Sequence, residues 1–462
     1  MVMCSIIVIR IREPEGKVYA MKLKRLQKLL RGGGVSVPHH KYTANYPTES
    51  LPLPPKVILP MGQHVGAPCE PCVKKGDHVF VGTMVGKAPS PVSMHIFSSV
   101  SGTVIEVNPI MYNTRKGDTV VVVESDGLQE PDPSIRPPEV HDRESFLEAV
   151  SMSGIVGLGG AGFPTDIKIQ PKNLSEIDTL LVNGAECEPY LTTDNREFLE
   201  HPDSILSGIR ACLDYLGIPK ALICIEDNKP AAIDLMTRKT EGDDRIEVCI
   251  LESRYPQGAQ NVLIYNATGR IVPRGARHTS VGVMMLNVTT ISSIGKYLKT
   301  GMPLVTKRLT VAGDAIREPK NLEVPIGTPI QDVIDYCGVR EEPQKIIVGG
   351  PMMGTAQMDV NYPITRQNNG LLVFGAKASE KPNATACIRC GRCINSCPMG
   401  LSPLAIRDAY VKFDADRLDA LMADLCIGCG TCSYVCPAKR PLTQSVTLAK
   451  NFLNNNKNRG KS

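Results

Sequence analysis

The chain has 462 residues, of which 42% are hydrophobic, 21% charged and 5% aromatic, and its net charge is +5. That length exceeds one hydrophobic core, so about three domains are expected, while no apolar run approaches the roughly 20 residues of a membrane span and the start lacks the apolar core of a secretion signal. A chain that stays in the cytoplasm keeps most of its 16 cysteines reduced, so clustered cysteines read as metal ligands before disulfides, and without tryptophan or a strong basic bias nothing points to nucleic acid.

In chain order, the first twenty residues form no recognisable element and read as an extended translation start. "MKLKRLQKLLRGGG" then places Leu23, Leu26, Leu29 and Leu30 among five basic residues, either a surface helix touching lipid or a partner or a solvated leader. From about residue 55 to about 125, "VKKGDHVFVGTMVGKA" and "IFSSVSGTVIEV" are short β-rich pieces joined by glycine turns such as Lys75-Gly76-Asp77. Cys69 and Cys72 form a lone C-x-x-C without the second pair a zinc site needs, and read as ordinary thiols. "RESFLEAVSMSG" has the spacing of a helix, with Phe146, Leu147 and Val150 on one face. After it, Gly157, Gly159 and Gly162 satisfy G-x-G-x-x-G, a dinucleotide signal that requires a preceding strand; the helix weakens a simple Rossmann reading. Such a loop still lets backbone N–H groups approach a phosphate or a flat ring, with a ligand-free tight turn as the alternative.

"DTLLVNGAECEPYLTTDNREF" follows, and Leu180 to Val182 reads as a strand delivering Asn183, Glu186 and Glu188 to its carboxyl end, where open α/β sheets place ligands. The carboxylates there either accept ribose hydroxyls or belong to a solvated turn. "RLTVAGDAIREPKNLEVPIGTPIQDVIDYCG" reads strand, turn, strand, helix, and "KIIVGGPMMGT" ends a strand in a structural glycine turn. The end, "NFLNNNKNRGKS", reads as a polar, disordered tail.

Two cysteine runs precede that tail, "CIRCGRCINSCP" from Cys387 and "CIGCGTCSYVCP" from Cys426. Three thiolates at C-x-x-C-x-x-C wrap one face of a cubane, and the fourth, followed by proline, is aimed elsewhere; in two-cluster ferredoxins it ligates the other cluster. One [4Fe-4S] cluster is therefore assigned Cys387, Cys390, Cys393 and Cys436, and the second Cys397, Cys426, Cys429 and Cys432. Structural zinc asks for separated pairs and leaves the three-cysteine runs unexplained. Between the runs, Leu418, Leu421, Met422 and Leu425 recur at helical intervals, which predicts a helical module.

Together, "GLGGAGFPT", "NGAECEPY", "RYPQGA" and the cysteine runs resemble the C subunit of the Rnf complex, the ion-translocating ferredoxin:NAD oxidoreductase of bacteria, from about Gly34 to about residue 450. The glycine loop and the Asn-to-Pro segment are also similar to the flavin-bearing, NADH-oxidising subunit of respiratory complex I. The resemblance implies a multidomain α/β protein: an extension over 1–33, a barrel-sandwich domain of the biotinyl-lipoyl kind over 34–130, a Rossmann-like FMN/NADH domain over 131–300, a β-grasp domain of the soluble-ligand-binding (SLBB) kind over 301–375, a helical two-cluster ferredoxin domain over 376–450, and the tail over 451–462. No lysine occupies the tip in "SSVSGTV", so the barrel-sandwich part is expected to dock rather than to carry a covalent cofactor.

It further implies FMN held by Gly157, Gly159, Gly160, Gly162 and Phe163, with Lys168, Asn183, Asn287 and Thr290 near its phosphate or ring, and Glu186 and Glu188 on the nicotinamide side. Flavin accepts a hydride and releases electrons singly, which is what a relay from NAD(H) to clusters requires. The implied protein is a peripheral electron-transfer subunit on the cytoplasmic side of the inner membrane, with membrane-embedded and ferredoxin-like partners. A soluble FMN and iron-sulfur reductase serving proline reductase or cobalamin reduction is the alternative, and a flavin-free scaffold a third. The chain departs from the family pattern at Gln260 and Asn261, where Glu-Lys is expected, and at Leu286, where a first asparagine is expected; this bears on nicotinamide affinity and on NADH against NADPH.

Overall fold

The structure is a computed structural model that describes residues 33–109 and 119–459. The basic leucine-bearing segment and the first twenty residues lie outside the described residues. Contacts divide the chain into a larger unit, Val35–Asn383 with Ile427–Gly430, and a smaller one containing Ala384–Cys426 and the residues from Thr431 on.

In the larger unit the β-rich pieces form two facing sheets. Strands Lys56–Pro60, Thr119–Ser125, Gly102–Pro109 and His78–Val79 make an antiparallel four-stranded sheet, and Glu70–Pro71, Met84–Lys87 and Ile96–Phe97 a three-stranded one. Alternating valines fill the space between them: Val57, Val85, Val104, Val121 and Val123 are all buried, the period-2 pattern of strands with one buried face. The Cys69 and Cys72 thiols each donate to a backbone carbonyl, Met94 O at 3.1 Å and Met84 O at 3.2 Å.

The helix expected from "RESFLEAVSMSG" spans Arg143–Met152, capped by Asp142 and burying Phe146, Ala149 and Val150. Four parallel strands follow in the spatial order Ile246–Leu251, Lys220–Glu226, Thr179–Gly184, Val283–Asn287. The order reverses between Thr179–Gly184 and Val283–Asn287, and a reversal of this kind opens a crevice at the strands' carboxyl ends. The glycine loop follows helix Arg143–Met152 and leads into the short helix Thr165–Lys168, so no strand precedes it. Helices Pro202–Leu216 and Val288–Thr300 cover one face and touch backbone to backbone. A Cβ on Gly208 would lie 2.1 Å from the Ile291 carbonyl oxygen, and one on Gly295 2.2 Å from that of Ser204, so only glycine fits at that crossing.

The third part of the larger unit is a six-stranded mixed sheet, in the order Thr48–Ser50, Lys320–Pro325, Thr306–Ala312, Gly370–Phe374, Lys345–Val348, Thr355–Gln357, with helix Ile330–Cys337 packed on it through Ile330, Val333 and Ile334.

Among its described residues the smaller unit is helical: Arg392–Asn395, Pro403–Val411, Ala415–Ala420, Thr431–Tyr434 and Leu442–Arg459. The segment between the cysteine runs is helical as expected, in two helices broken at Phe413 (φ 54°) and a 3-10 turn that Met422 (φ 53°) introduces. One reading changes here. The expected disordered tail instead extends the last helix to Arg459. Val446, Ala449 and Leu453 recur at helical spacing and are buried, and Phe452 packs edge-on against Tyr410 and Phe413. That apolar stripe outweighs the polar composition around it.

Candidate functional site

The glycine loop is closed on itself: Gly157 N–H donates to Phe163 O at 2.8 Å, and Gly162 N–H to Gly157 O at 3.0 Å. Two neighbours pin its middle. Leu158 N–H donates to the Thr290 hydroxyl at 3.0 Å, and Leu158 O accepts from Lys307 Nζ at 3.0 Å. The Asn287 side chain lies against Gly159, where a Cβ would come within 3.2 Å of it. Gly160, at φ 112°, has nothing within 4 Å of where a Cβ would be, so the loop presents bare backbone to open space. This is the close approach that a phosphate or flat ring demands.

Asn183 and Asn287 end the two strands flanking the reversal and are partners in register. Asn287 caps helix Val288–Thr300, its Oδ1 accepting from Thr289 N–H and Thr290 N–H, while its Nδ2 donates to Asp194 at 2.9 Å. Asn183 Nδ2 donates to Gly258 O at 3.0 Å. The Glu186 carboxylate accepts from Asp194 N–H at 2.7 Å and Asn195 N–H at 3.3 Å, and so caps helix Thr193–Glu200. Glu188 accepts from Met352 N–H at 3.0 Å and the Tyr255 hydroxyl at 3.3 Å. Burial raises its carboxyl above the usual range, and those donors only partly oppose the shift. The glycine turn after Lys345–Val348, expected to be purely structural, therefore reaches Glu188. Gln260 and Asn261 open the helix Gln260–Thr268, which directly follows Gly258.

Four buried charged groups that shape this crevice carried no local signal. Lys41 Nζ donates to the carbonyls of Glu186, Glu188 and Leu191 at 2.8, 3.2 and 2.5 Å, and Lys229 Nζ to Ala185 O at 2.6 Å. Together they hold a turn in which Glu186 and Tyr190 take positive φ values of 51° and 70°. Burial and the Glu186 charge push the Asp194 carboxyl upward, and burial pushes the Lys307 ammonium downward. Between Glu186 and Glu188, burial raises the Cys187 thiol to about 12, so it is not a nucleophile at neutral pH.

Lys168 ends the short helix Thr165–Lys168 beyond the glycine loop. Burial lowers its ammonium to about 8, and its field in turn helps lower His278, after burial, to about 4. Lys168 has no carboxylate partner among the described residues. A partly buried cation without a carboxylate partner suits a bound anion, and the bare glycine ridge suits the close approach of a phosphate. Asn287 and Thr290 meet the glycine loop and Asn183 lies in register with Asn287, while no direct bond links Lys168 to Asn183 or Asn287.

In the helical unit, Cys387, Cys390, Cys393 and Cys436 line one cavity of about 240 Å³. Cys387 and Cys390 are exposed, and Cys436 is buried. Among the described residues no three His, Cys, Asp or Glu side chains converge as the ligands of a single ion would. Four thiols spread round a cavity of this size suit a cubane, whose irons hold the sulfurs further apart than one zinc does. Cys397 and Cys426 pack against the unit's main apolar cluster, and Cys432 is buried beside Cys436 and Leu442. Cys429 is buried in the loop Ile427–Gly430.

Compared with known families, residues 30–128 match the RnfC barrel sandwich hybrid domain, 150–296 the Nuo51 FMN-binding domain, 308–356 the SLBB domain and 382–443 the 4Fe-4S dicluster domain. The C subunit of the proton-translocating ferredoxin:NAD(+) oxidoreductase complex of Clostridium ljungdahlii is 41% identical over 380 residues, 81% of this chain and 83% of that protein. The Na(+)-translocating counterpart of Acetobacterium woodii is 42% identical over 425 residues, 90% of this chain and 96% of that one. The C subunit of the ion-translocating oxidoreductase complex of Rhodobacter capsulatus is 36% identical over 441 residues, 94% of this chain and 85% of its own.

Proposed function

The chain belongs to the family of the C subunits of ion-translocating ferredoxin:NAD(+) oxidoreductase complexes, and from that premise we propose that it is the complex's electron-transfer subunit, working between NAD(H), FMN and two [4Fe-4S] clusters. The observation that carries the reading is the pairing, in one chain, of a bare glycine ridge at a sheet reversal with a four-thiol cavity in a helical unit. FMN, when bound, exchanges a hydride on one side and single electrons on the other.

The chain's own residues supply position and charge. Gly157, Gly159, Gly160, Gly162 and Phe163 form the ridge, Lys168 offers a cation to a phosphate, Asn287 and Thr290 hold the loop at the strand end, and Asn183 lies near the phosphate or ring. Glu188 stands at the nicotinamide side; Glu186 acts there through the turn it caps. Cys387, Cys390, Cys393 and Cys436 hold one cluster, and Cys397, Cys426, Cys429 and Cys432 the other. We place the modules at 34–130, 131–300, 301–375 and 376–450, with the following residues continuing the last helix. We place it as a peripheral subunit on the cytoplasmic face, beside membrane-embedded and ferredoxin-like partners; no described helix is long and apolar enough to cross a membrane.

The test is anaerobic purification, quantification of FMN and iron, and addition of NADH while flavin absorbance is followed. Bleaching with about eight irons per chain, as two cubanes require, is expected. Cys429→Ser should lower the iron content and stop electron exit while leaving flavin bleaching intact. Intact FMN and iron without bleaching would overturn the nicotinamide assignment.

A further inference from the structure

We propose that Gln367, which comes from neither the glycine loop nor the parallel sheet, binds the pyrimidine edge of the flavin ring through its side-chain amide. The proposal rests on the functional reading above, because it takes the glycine ridge to receive FMN.

Two observations carry it. The first is place. A Cβ on Gly159 would lie 3.2 Å from the Asn287 side chain, one on Gly160 would meet nothing within 4 Å, and one on Gly162 would lie 2.2 Å from Gln367 Nε2. The open position of the ridge is thus bracketed along the loop by two glycines, each with a side-chain amide lying against it. The second observation is what those amides are free to do. Asn287 is committed, its Oδ1 accepting from Thr289 N–H and Thr290 N–H and its Nδ2 donating to Asp194. Gln367 is half-buried, and its amide has no hydrogen bond to any described residue. Its backbone is nevertheless fixed. Thr365 N–H donates to Asn368 Oδ1 at 2.6 Å and Asn368 N–H to Thr365 O at 3.1 Å, which closes a turn with Gln367 as its third residue. The preceding Arg366 is 2% exposed, and its guanidinium donates to the carbonyls of Gly154 at 2.7 Å, His95 at 2.8 Å and Met94 at 3.3 Å. The loop is tied down beside it, since Gly162 O accepts from Val65 N–H at 2.9 Å. An uncommitted amide on so rigid a turn gives up little freedom on engaging a ligand.

The chemistry of the amide selects the ring over the phosphate. A glutamine amide both donates and accepts, whereas a phosphate only accepts and already has the Lys168 cation to meet it. The pyrimidine edge of a flavin carries carbonyl acceptors and an N–H donor side by side, which an amide matches on both counts. That edge is more negative in the reduced ring than in the oxidised one, so a hydrogen bond donated to it is stronger after reduction, and the contact should raise the flavin's potential. The competing account is that Gln367 merely packs against Gly162. Packing would survive replacement by an apolar side chain of similar length, and hydrogen bonding would not.

The experiment uses the full, cluster-loaded chain freed of flavin and titrated with FMN and with riboflavin, which lacks the phosphate, and then measures the midpoint potential of the bound FMN. Gln367→Met is expected to weaken both flavins by the same factor, about two- to tenfold for one lost hydrogen bond, and to move the potential to more negative values. The melting temperature of the flavin-free chain and its iron content should remain unchanged. Gln367→Glu, a second variant, sets a negative charge at the edge of the reduced ring and should lower the potential further. Weaker FMN with riboflavin untouched would put the amide on the phosphate and overturn the proposal, as would unchanged affinity and potential in both variants. A loss of affinity that comes with a lower melting temperature and an unchanged potential would assign Gln367 to packing and overturn it too. A parent chain that binds no flavin would overturn the functional reading, and this proposal with it; a parent that binds flavin and bleaches with NADH while both variants match it would overturn the Gln367 contact alone.

Discussion

Replacing Lys307 with methionine tests whether a buried ammonium from the mixed sheet sets the glycine loop. Lys307 is 3% exposed, and its Nζ donates to Leu158 O at 3.0 Å, within the loop whose next two residues are the bare glycines. A hydrogen bond to a charged group contributes about 1.5–3 kcal/mol. At about 1.4 kcal/mol per factor of ten, its loss predicts FMN binding weaker by roughly 10- to 150-fold if the whole term is expressed in the loop's order. Methionine keeps the stem's volume but leaves Leu158 O without its donor and Asp194 and the buried Glu197 without this cation, so the melting temperature of the flavin-free chain should also fall. Fluorescence of released FMN gives the dissociation constant, and iron content controls for global damage. FMN affinity within twofold of the parent would refute the reasoning, and a parallel loss of iron would show that the substitution acts on folding instead.

Lys168 gives a pH prediction. Burial lowers its ammonium to about 8, against about 10.4 in an unfolded chain. Between those values the unfolded state binds more protons, so the flavin-free chain should gain stability as pH rises from about 8 to about 10.4. The cation that meets the phosphate is lost over the same window, so FMN should bind more weakly there; Lys168→Gln should abolish both trends, and a parent chain without them would contradict the placement of Lys168. Glu186→Gln weakens the cap of helix Thr193–Glu200, and by analogy with helix-cap losses should cost about 0.5–2 kcal/mol in chemical denaturation. Unchanged stability with a raised KM for NADH would assign Glu186 to the nucleotide instead.

The dicluster module was legible in the sequence because its spacing is local: C-x-x-C-x-x-C followed by a proline-flanked cysteine is the ferredoxin pattern, and residues 382–443 match the 4Fe-4S dicluster domain. The glycine loop and the strand–turn–strand–helix order were readable for the same reason, since turn and periodicity signals act within a few residues. What only the tertiary structure decided is how distant residues meet. Asn183 and Asn287 become neighbours because the strand order reverses between them. Lys41 reaches the Glu186 turn and Lys307 the glycine loop across about 150 residues of chain. A lysine in "HHKYT" or "VTKRLT" looks like any solvated lysine, and its value as a buried donor arises only once packing removes the water around it. The last helix makes the same point in reverse: a polar composition suggested disorder, and Val446, Ala449 and Leu453 in the apolar cluster, with Phe452 against Tyr410 and Phe413, made it a helix. Spacing along the chain is written in the sequence, whereas desolvation is a property of the folded environment.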